Sequence, residues 1–191
     1  MIMSMCRNIC VTNRKLVKGD FLEQIQRALD KKPYAMILRE KDLTEYEYER
    51  LAEKVMKLCE NSETKLILHS YPEAAKRLGV DSLHMPFAAF LEMSPEEKKR
   101  FPCLGVSTHS VEDALLAEEN GATYITAGHI FATDCKKGVP PRGLAFLREV
   151  CETVRIPVYA IGGISGENRA DCLRQGAAGV CMMSGYMKVV L

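Results

Sequence analysis

Short apolar runs with little polar alternation recur along the chain. They lie at Ile9-Cys10-Val11, Ala35-Met36-Ile37-Leu38, Leu66-Ile67-Leu68, Ser82-Leu83-His84-Met85 and Cys103-Leu104-Gly105-Val106, then at Tyr124-Ile125-Thr126, Pro157-Val158-Tyr159-Ala160-Ile161 and Gly179-Val180-Cys181-Met182-Met183. Runs of this kind suit parallel strands covered on both faces. Between most of them the apolar positions change to helical spacing, as at Phe21, Leu22, Ile25 and Leu29, at Leu51, Val55 and Leu58, and at Ala114, Leu115 and Ala117. Asp20 and Thr44 fit as N-caps, and Gly121 and Gly176 as residues that follow a helix end. Ser110 with Asp113 three residues on reads as a helix start, with Asp in place of the usual Glu, and leaves Ser107 and Thr108 to face a site.

Eight strand runs alternating with helices in 191 residues predict a small α/β (β/α)8 TIM barrel, a single domain over residues 1–191. An open doubly wound sheet would need a glycine-rich loop after the first strand, and Val11-Thr12-Asn13-Arg14-Lys15-Leu16 has none. Residues 184–191 allow about two turns of a shortened last helix. The barrel flank so exposed is expected to be covered by a second copy, giving a homo-oligomer.

Composition narrows the partners. With 27% charged residues and a net charge of +1, the chain has no overall attraction for nucleic acid or an acidic membrane. The apolar runs fall far short of the ~20 residues that span a bilayer. No basic region followed by a long apolar stretch opens the chain, so no secretion signal is expected. Eight cysteines are present, but no C-x-x-C pair; Cys59, Cys151, Cys172 and Cys181 fall in helical or strand patterns, and Cys6 and Cys10 are weakly spaced for a metal. A reducing, cytoplasmic setting is the expectation.

The chemistry concentrates where strands end. Of the four histidines, His69, His84, His109 and His129 fall at or near the ends of strands three to six. No H-x-H or H-E-x-x-H pair accompanies them, so the reading is no metal site. His129 opens Gly128-His129-Ile130-Phe131-Ala132-Thr133-Asp134-Cys135-Lys136-Lys137-Gly138, an acid/base group beside a cationic loop. The turns Ile161-Gly162-Gly163-Ile164-Ser165 and Met183-Ser184-Gly185 follow strands seven and eight and are expected to open helices. Phosphate sites in these barrels are often built there, which makes Gly162, Gly163, Met183 and Ser184 the phosphate candidates. Arg39, in Leu38-Arg39-Glu40-Lys41-Asp42, is a candidate anion ligand in what otherwise reads as a solvated charged loop. No G-x-S-x-G elbow supports a nucleophilic serine.

Residues 105–185 resemble the thiamine phosphate synthase/TenI superfamily, closest to the TenI-type thiazole tautomerase. The motifs are Gly105-Val106-Ser107-Thr108-His109-Ser110, the 128–138 segment, Ala160-Ile161-Gly162-Gly163-Ile164 and Gly179-Val180-Cys181-Met182-Met183-Ser184-Gly185. The resemblance implies one of two activities. The synthase joins a pyrimidine pyrophosphate to a thiazole phosphate with magnesium, held by aspartates near the ends of strands three and four. This chain has His69-Ser70 and Ala88-Ala89 at those places, and Thr133-Asp134-Cys135-Lys136 where the synthase has Thr-x-Thr-Lys. The tautomerase aromatises a carboxythiazole phosphate without a cofactor. Its Gly-His-x-Phe-x-Thr-Asp-Cys-Lys-Lys-Gly pattern matches residues 128–138 and puts His129 on the catalytic histidine. The expectation is therefore an isomerase of thiamine biosynthesis, its small-molecule partner a phosphorylated thiazole. Thiamine phosphate synthase is the alternative, and a non-catalytic thiazole phosphate-binding regulator a second one. Arg39, Ser107, Thr133 and Lys136 are the further substrate-binding candidates; Asp134 and Lys137 carry no assigned role.

Overall fold

The computed structural model describes residues 7–133 and 138–188. Eight parallel strands close into a barrel in sequence order: β1 Arg7–Val11, β2 Ala35–Leu38, β3 Lys65–His69, β4 Ser82–Pro86, β5 Cys103–Thr108, β6 Tyr124–Gly128, β7 Val158–Ile161 and β8 Gly179–Met182. Closure is made by β1, which pairs with β2 on one side and with β8 on the other. Each strand falls on an apolar run predicted above. Helices cover the outer face and packed side chains fill the inside, so strand interiors can be apolar on both faces.

The outer layer consists of α1 Phe21–Asp30, α2 Glu45–Cys59, α3 Pro72–Arg77, α4 Phe87–Glu92, α5 Pro95–Lys99, α6 Val111–Glu119, α7 Gly143–Thr153, α8 Arg169–Arg174 and α9 Ser184–Met187. Local chemistry starts α1, α2 and α6. Asp20 accepts from the Glu23 amide, and Thr44 and Glu47 form a reciprocal capping box at α2. Ser110 accepts from the Asp113 amide, while the Asp113 carboxylate takes the amide of His109, one residue earlier than a capping box requires. Gly121 and Gly176 follow α6 and α8 with positive φ, as expected. In α6 the buried face is Ala114 and Ala117, with Leu115 outside, so small residues let this helix lie close to the barrel.

Two apolar clusters result. The larger lies between barrel and helices and includes Leu38, Leu68, Leu83, Leu104, Ile125 and Val180. The smaller fills the barrel interior with Ile9, Val11, Ala35, Ile37, Ile67, Tyr124, Tyr159 and Cys181. Among the described residues Cys10, Cys59, Cys103, Cys151, Cys172 and Cys181 form no disulfide bond. Among the described residues no helix is long and apolar enough to cross a membrane.

Candidate active site at the C-terminal mouth of the barrel

Strand alternation decides which side chains reach the barrel mouth. On β8, β1 and β2 the inward positions are apolar: Cys181, Val11 and Ile37. On β3 to β6 they turn polar towards the mouth, with His69, His84, Ser107 and Thr126. The mouth therefore has one apolar wall and one hydrogen-bonding wall.

The polar wall is a connected network. The His84 and His69 rings stack with centroids 5.7 Å apart. His84 Nδ1 lies 3.0 Å from the Tyr124 hydroxyl and its Nε2 2.9 Å from Ser107 Oγ. Thr126 Oγ1 donates to Ser107 Oγ at 3.5 Å, and His69 Nδ1 lies 2.6 Å from Ser70 Oγ. Tyr48 of α2 donates to the Leu38 carbonyl and accepts from the His69 amide, which ties the ends of β2 and β3 together. Burial pushes the His84 imidazole down to about 3, with the Arg39 charge acting in the same direction. Burial likewise pushes His69 down to about 2, assisted by His84, Arg39 and Lys41. Both rings are neutral near pH 7.

Sequence reasoning read residues 38–42 as a charged loop, which the structure corrects in part. Glu40 is buried and accepts from Thr12 Oγ1 at 2.7 Å and from the Arg14 amide at 3.1 Å. Its charge is balanced by the Arg14 guanidinium at 3.3 Å. Asp42 forms ion pairs with Lys15 and Arg14, whose hydrogen bonds hold its carboxyl down at about 2. Arg39 is fixed at its backbone by Thr12, its amide donating at 2.9 Å.

His129 leaves the end of β6 buried beside Gly162. Its Nε2 stands 3.2 Å from the Val139 carbonyl. A carbonyl can only accept, so Nε2 carries the ring proton and Nδ1 presents a lone pair. That Nδ1 is buried with no hydrogen-bond partner among the described residues. Gly162 has φ +100°, and a Cβ there would overlap His129 Cβ and stand 2.7 Å from its Cα. Gly163 has φ +66° and packs against the Phe131–Ala132 backbone. The two segments are stitched by the Ile130 and Phe131 amides, which donate to the carbonyls of Ile161 and Gly162.

The predicted phosphate turns lie on adjacent strands, since Ile161 is in register with Cys181. The turn after β8 does open a helix, at Ser184. The turn after β7 does not, which corrects the sequence reading. Two successive positive φ values bend the chain, and the Asn168 side chain bridges Ser165 N and Gly163 O, so α8 starts only at Arg169. Among the described residues, the Gly163 amide donates to no group within the chain, and neither does that of Ser184.

The candidates do not all meet. Ser107 faces the interior, but Thr108 points the opposite way and donates to the Thr126 carbonyl, as alternation demands. His109 is exposed, its Nδ1 2.8 Å from the Gly128 carbonyl, so the histidines form no single cluster. Thr133 is half-buried beyond β6, and Met183 Sδ accepts from Asn13 Nδ2 at 3.7 Å. Lys136, Asp134 and Lys137 lie outside the described residues. Sequence reasoning missed Tyr124, Thr126 and the Thr12–Glu40 pair. Period-2 alternation along 124, 126 and 128 was the available signal for the first two.

The synthase's magnesium is tested by the donors present. Magnesium prefers oxygen ligands, commonly one or two carboxylates. The ends of β3 and β4 carry buried neutral His69 with Ser70, and Ala88 and Ala89 on α4. Among the described residues no three His, Cys, Asp or Glu side chains converge as a metal set. These residues do not fit magnesium.

Comparison with known proteins follows the whole barrel. The chain is 35% identical over 189 residues to a protein of Aquifex aeolicus provisionally named thiamine-phosphate synthase 2, covering 97% of this chain and 100% of that one. It is 33% identical to the thiamine-phosphate synthase of Clostridium acetobutylicum, over 93% of this chain and 85% of that one. The solved thiamine phosphate pyrophosphorylase of Pyrococcus furiosus superposes with a TM-score of 0.82 at 29% identity, over 96% of this chain and 88% of that one. The family described as thiamine monophosphate synthase (TMP-TENI) matches residues 8–186, and with the closed barrel and its motifs this shows that the chain belongs to that family.

Proposed function

We propose that this chain is an enzyme of thiamine biosynthesis that holds a thiazole phosphate at the barrel mouth and aromatises it by proton transfer. The observation that carries this reading is His129: buried, its tautomer set by the Val139 carbonyl, its Nδ1 lone pair unused. On a carboxylated non-aromatic thiazole with an exocyclic double bond, Nδ1 takes the proton from ring C2. The electron pair moves into the ring and the double bond shifts inward. The imidazolium then returns its proton to the exocyclic carbon, and aromaticity supplies the driving force. A positioned acid/base group of this kind contributes ~10²–10⁴-fold. The Gly163 and Ser184 amides are the proposed phosphate donors, with Gly162 and Met183 shaping the turns, and Arg39, Ser107, Thr133 and Lys136 the proposed contacts to the rest of the substrate.

Thiamine-phosphate synthesis is the second reading, and the comparisons favour it: the relatives cited carry that name or its synonym pyrophosphorylase. Against it stand the donors at the ends of β3 and β4. One experiment separates the two. The protein is given the dihydrothiazole carboxylate phosphate alone, and separately thiazole phosphate with pyrimidine pyrophosphate and magnesium. Aromatic carboxythiazole phosphate in the first vessel supports the tautomerase; thiamine phosphate in the second establishes the synthase instead.

A further inference from the structure

We infer that Tyr124, His84 and Ser107 form a hydrogen-bond relay of fixed direction, in which Tyr124 donates to His84, His84 donates to Ser107, and the Ser107 hydroxyl is left to donate to an anionic oxygen of the ligand. The direction follows from burial, hydrogen-bond pairing and the neutrality of His84; the ligand's identity rests on the thiazole phosphate reading above. The Tyr124 ring reaches His84 by lying where a side chain at Gly105 would stand, so the absence of a Cβ at 105 is what admits it. Tyr124 is buried, and His84 Nδ1, at 3.0 Å, is its hydroxyl's partner among the described residues.

A neutral imidazole has one N–H and one lone pair. If Nδ1 held the proton, it would donate to Tyr124, and the phenolic hydrogen would be buried with no acceptor. An unmade buried donor is the costlier fault. Tyr124 therefore donates, Nδ1 accepts, and Nε2 carries the proton. Nε2 donates to Ser107 Oγ at 2.9 Å, and Thr126 Oγ1 donates to the same oxygen at 3.5 Å. With its oxygen accepting from both, the Ser107 hydroxyl turns its hydrogen outward from a half-buried position at the mouth. Burial and the Arg39 charge keep His84 neutral, because an imidazolium would donate from both nitrogens and reverse the Tyr124 bond. Among the described residues Ser107 Oγ meets only the His84 and Thr126 donors and no acceptor, so the ligand supplies the acceptor. On a carboxylated thiazole phosphate that acceptor is the ring carboxylate. Ser107 touches the ligand; His84 and Tyr124 are positioning residues.

Ring-¹⁵N histidine spectra of the whole chain test the direction. His84 is expected as the Nε2–H tautomer, and the Nδ1–H form would overturn the relay. Calorimetry then uses carboxythiazole phosphate and the same thiazole phosphate without its carboxylate. Ser107→Ala and Tyr124→Phe are each expected to weaken the carboxylated ligand about ten- to a hundred-fold, the loss of a hydrogen bond to a charged group. The ligand without the carboxylate shifts less than about twofold on the same scale. The double variant binds no more weakly than Ser107→Ala, because both act through one hydroxyl. Equal weakening of both ligands, or none, overturns the role of Ser107 while leaving the phosphate site intact. If neither ligand binds the wild type, the thiazole reading falls, and the His84 tautomer still decides the relay.

Discussion

Acidification acts on the two buried histidines of the barrel wall, and its effect can be sized. In the unfolded chain a histidine titrates near 6.5. In the fold His84 is pushed down to about 3 and His69 to about 2. Above pH 6.5 both states are neutral and the histidines add no pH dependence. Below it the unfolded chain binds protons that the fold excludes, so stability falls as pH falls, at ~1.4 kcal/mol per pH unit for each group. At pH 4.5 this is about 3 kcal/mol for each histidine. Together they remove a large part of the 5–15 kcal/mol typical of a domain. Urea unfolding of wild type and His84→Asn at pH 7 and pH 4.5 is the assay. His84→Asn is less stable than wild type at pH 7 by about 1–3 kcal/mol, since Tyr124 and Ser107 lose well-placed partners. Its further loss between pH 7 and pH 4.5 is smaller than that of wild type by about 3 kcal/mol. Equal losses for the two proteins would refute the reasoning, because His84 would then protonate in the fold as freely as outside it.

Gly162→Ala forces a side chain into His129 at a positive φ, so it lowers stability by about 1–3 kcal/mol by chemical denaturation and disturbs the imidazole's position. Glu40→Gln removes the charge that Thr12 and Arg14 surround; a loss of about 1.5–3 kcal/mol is expected, read in the same assay. Inorganic phosphate added to ¹⁵N-labelled protein shifts the Gly163 and Ser184 amide resonances first. Shifts confined to other residues would remove the phosphate assignment.

The barrel was legible because each strand is an apolar run and α1, α2 and α6 carry their own start signals, as Thr44 with Glu47 and Ser110 with Asp113 do. The turn after β7 was misread because Gly162-Gly163 looks like a helix entry. Only the fold shows that both glycines are needed to let the segment from His129 to Ala132 pass close by. The 38–42 loop was misread for a related reason: Glu40 is buried because Thr12 and Arg14, which follow the neighbouring strand β1, reach across to it. His129 stood out through its strand-end position and its motif. The Tyr124–His84–Ser107 relay did not, because its direction depends on which groups are buried and that is a property of packing.

Whether His129 moves a proton across the thiazole ring is read most directly from the turnover of dihydrothiazole carboxylate phosphate by wild type and by His129→Asn, with the folded state of each checked by near-ultraviolet circular dichroism. A fall in kcat of ~10²–10⁴-fold in a folded variant is the predicted result. Undiminished turnover by folded His129→Asn would contradict it.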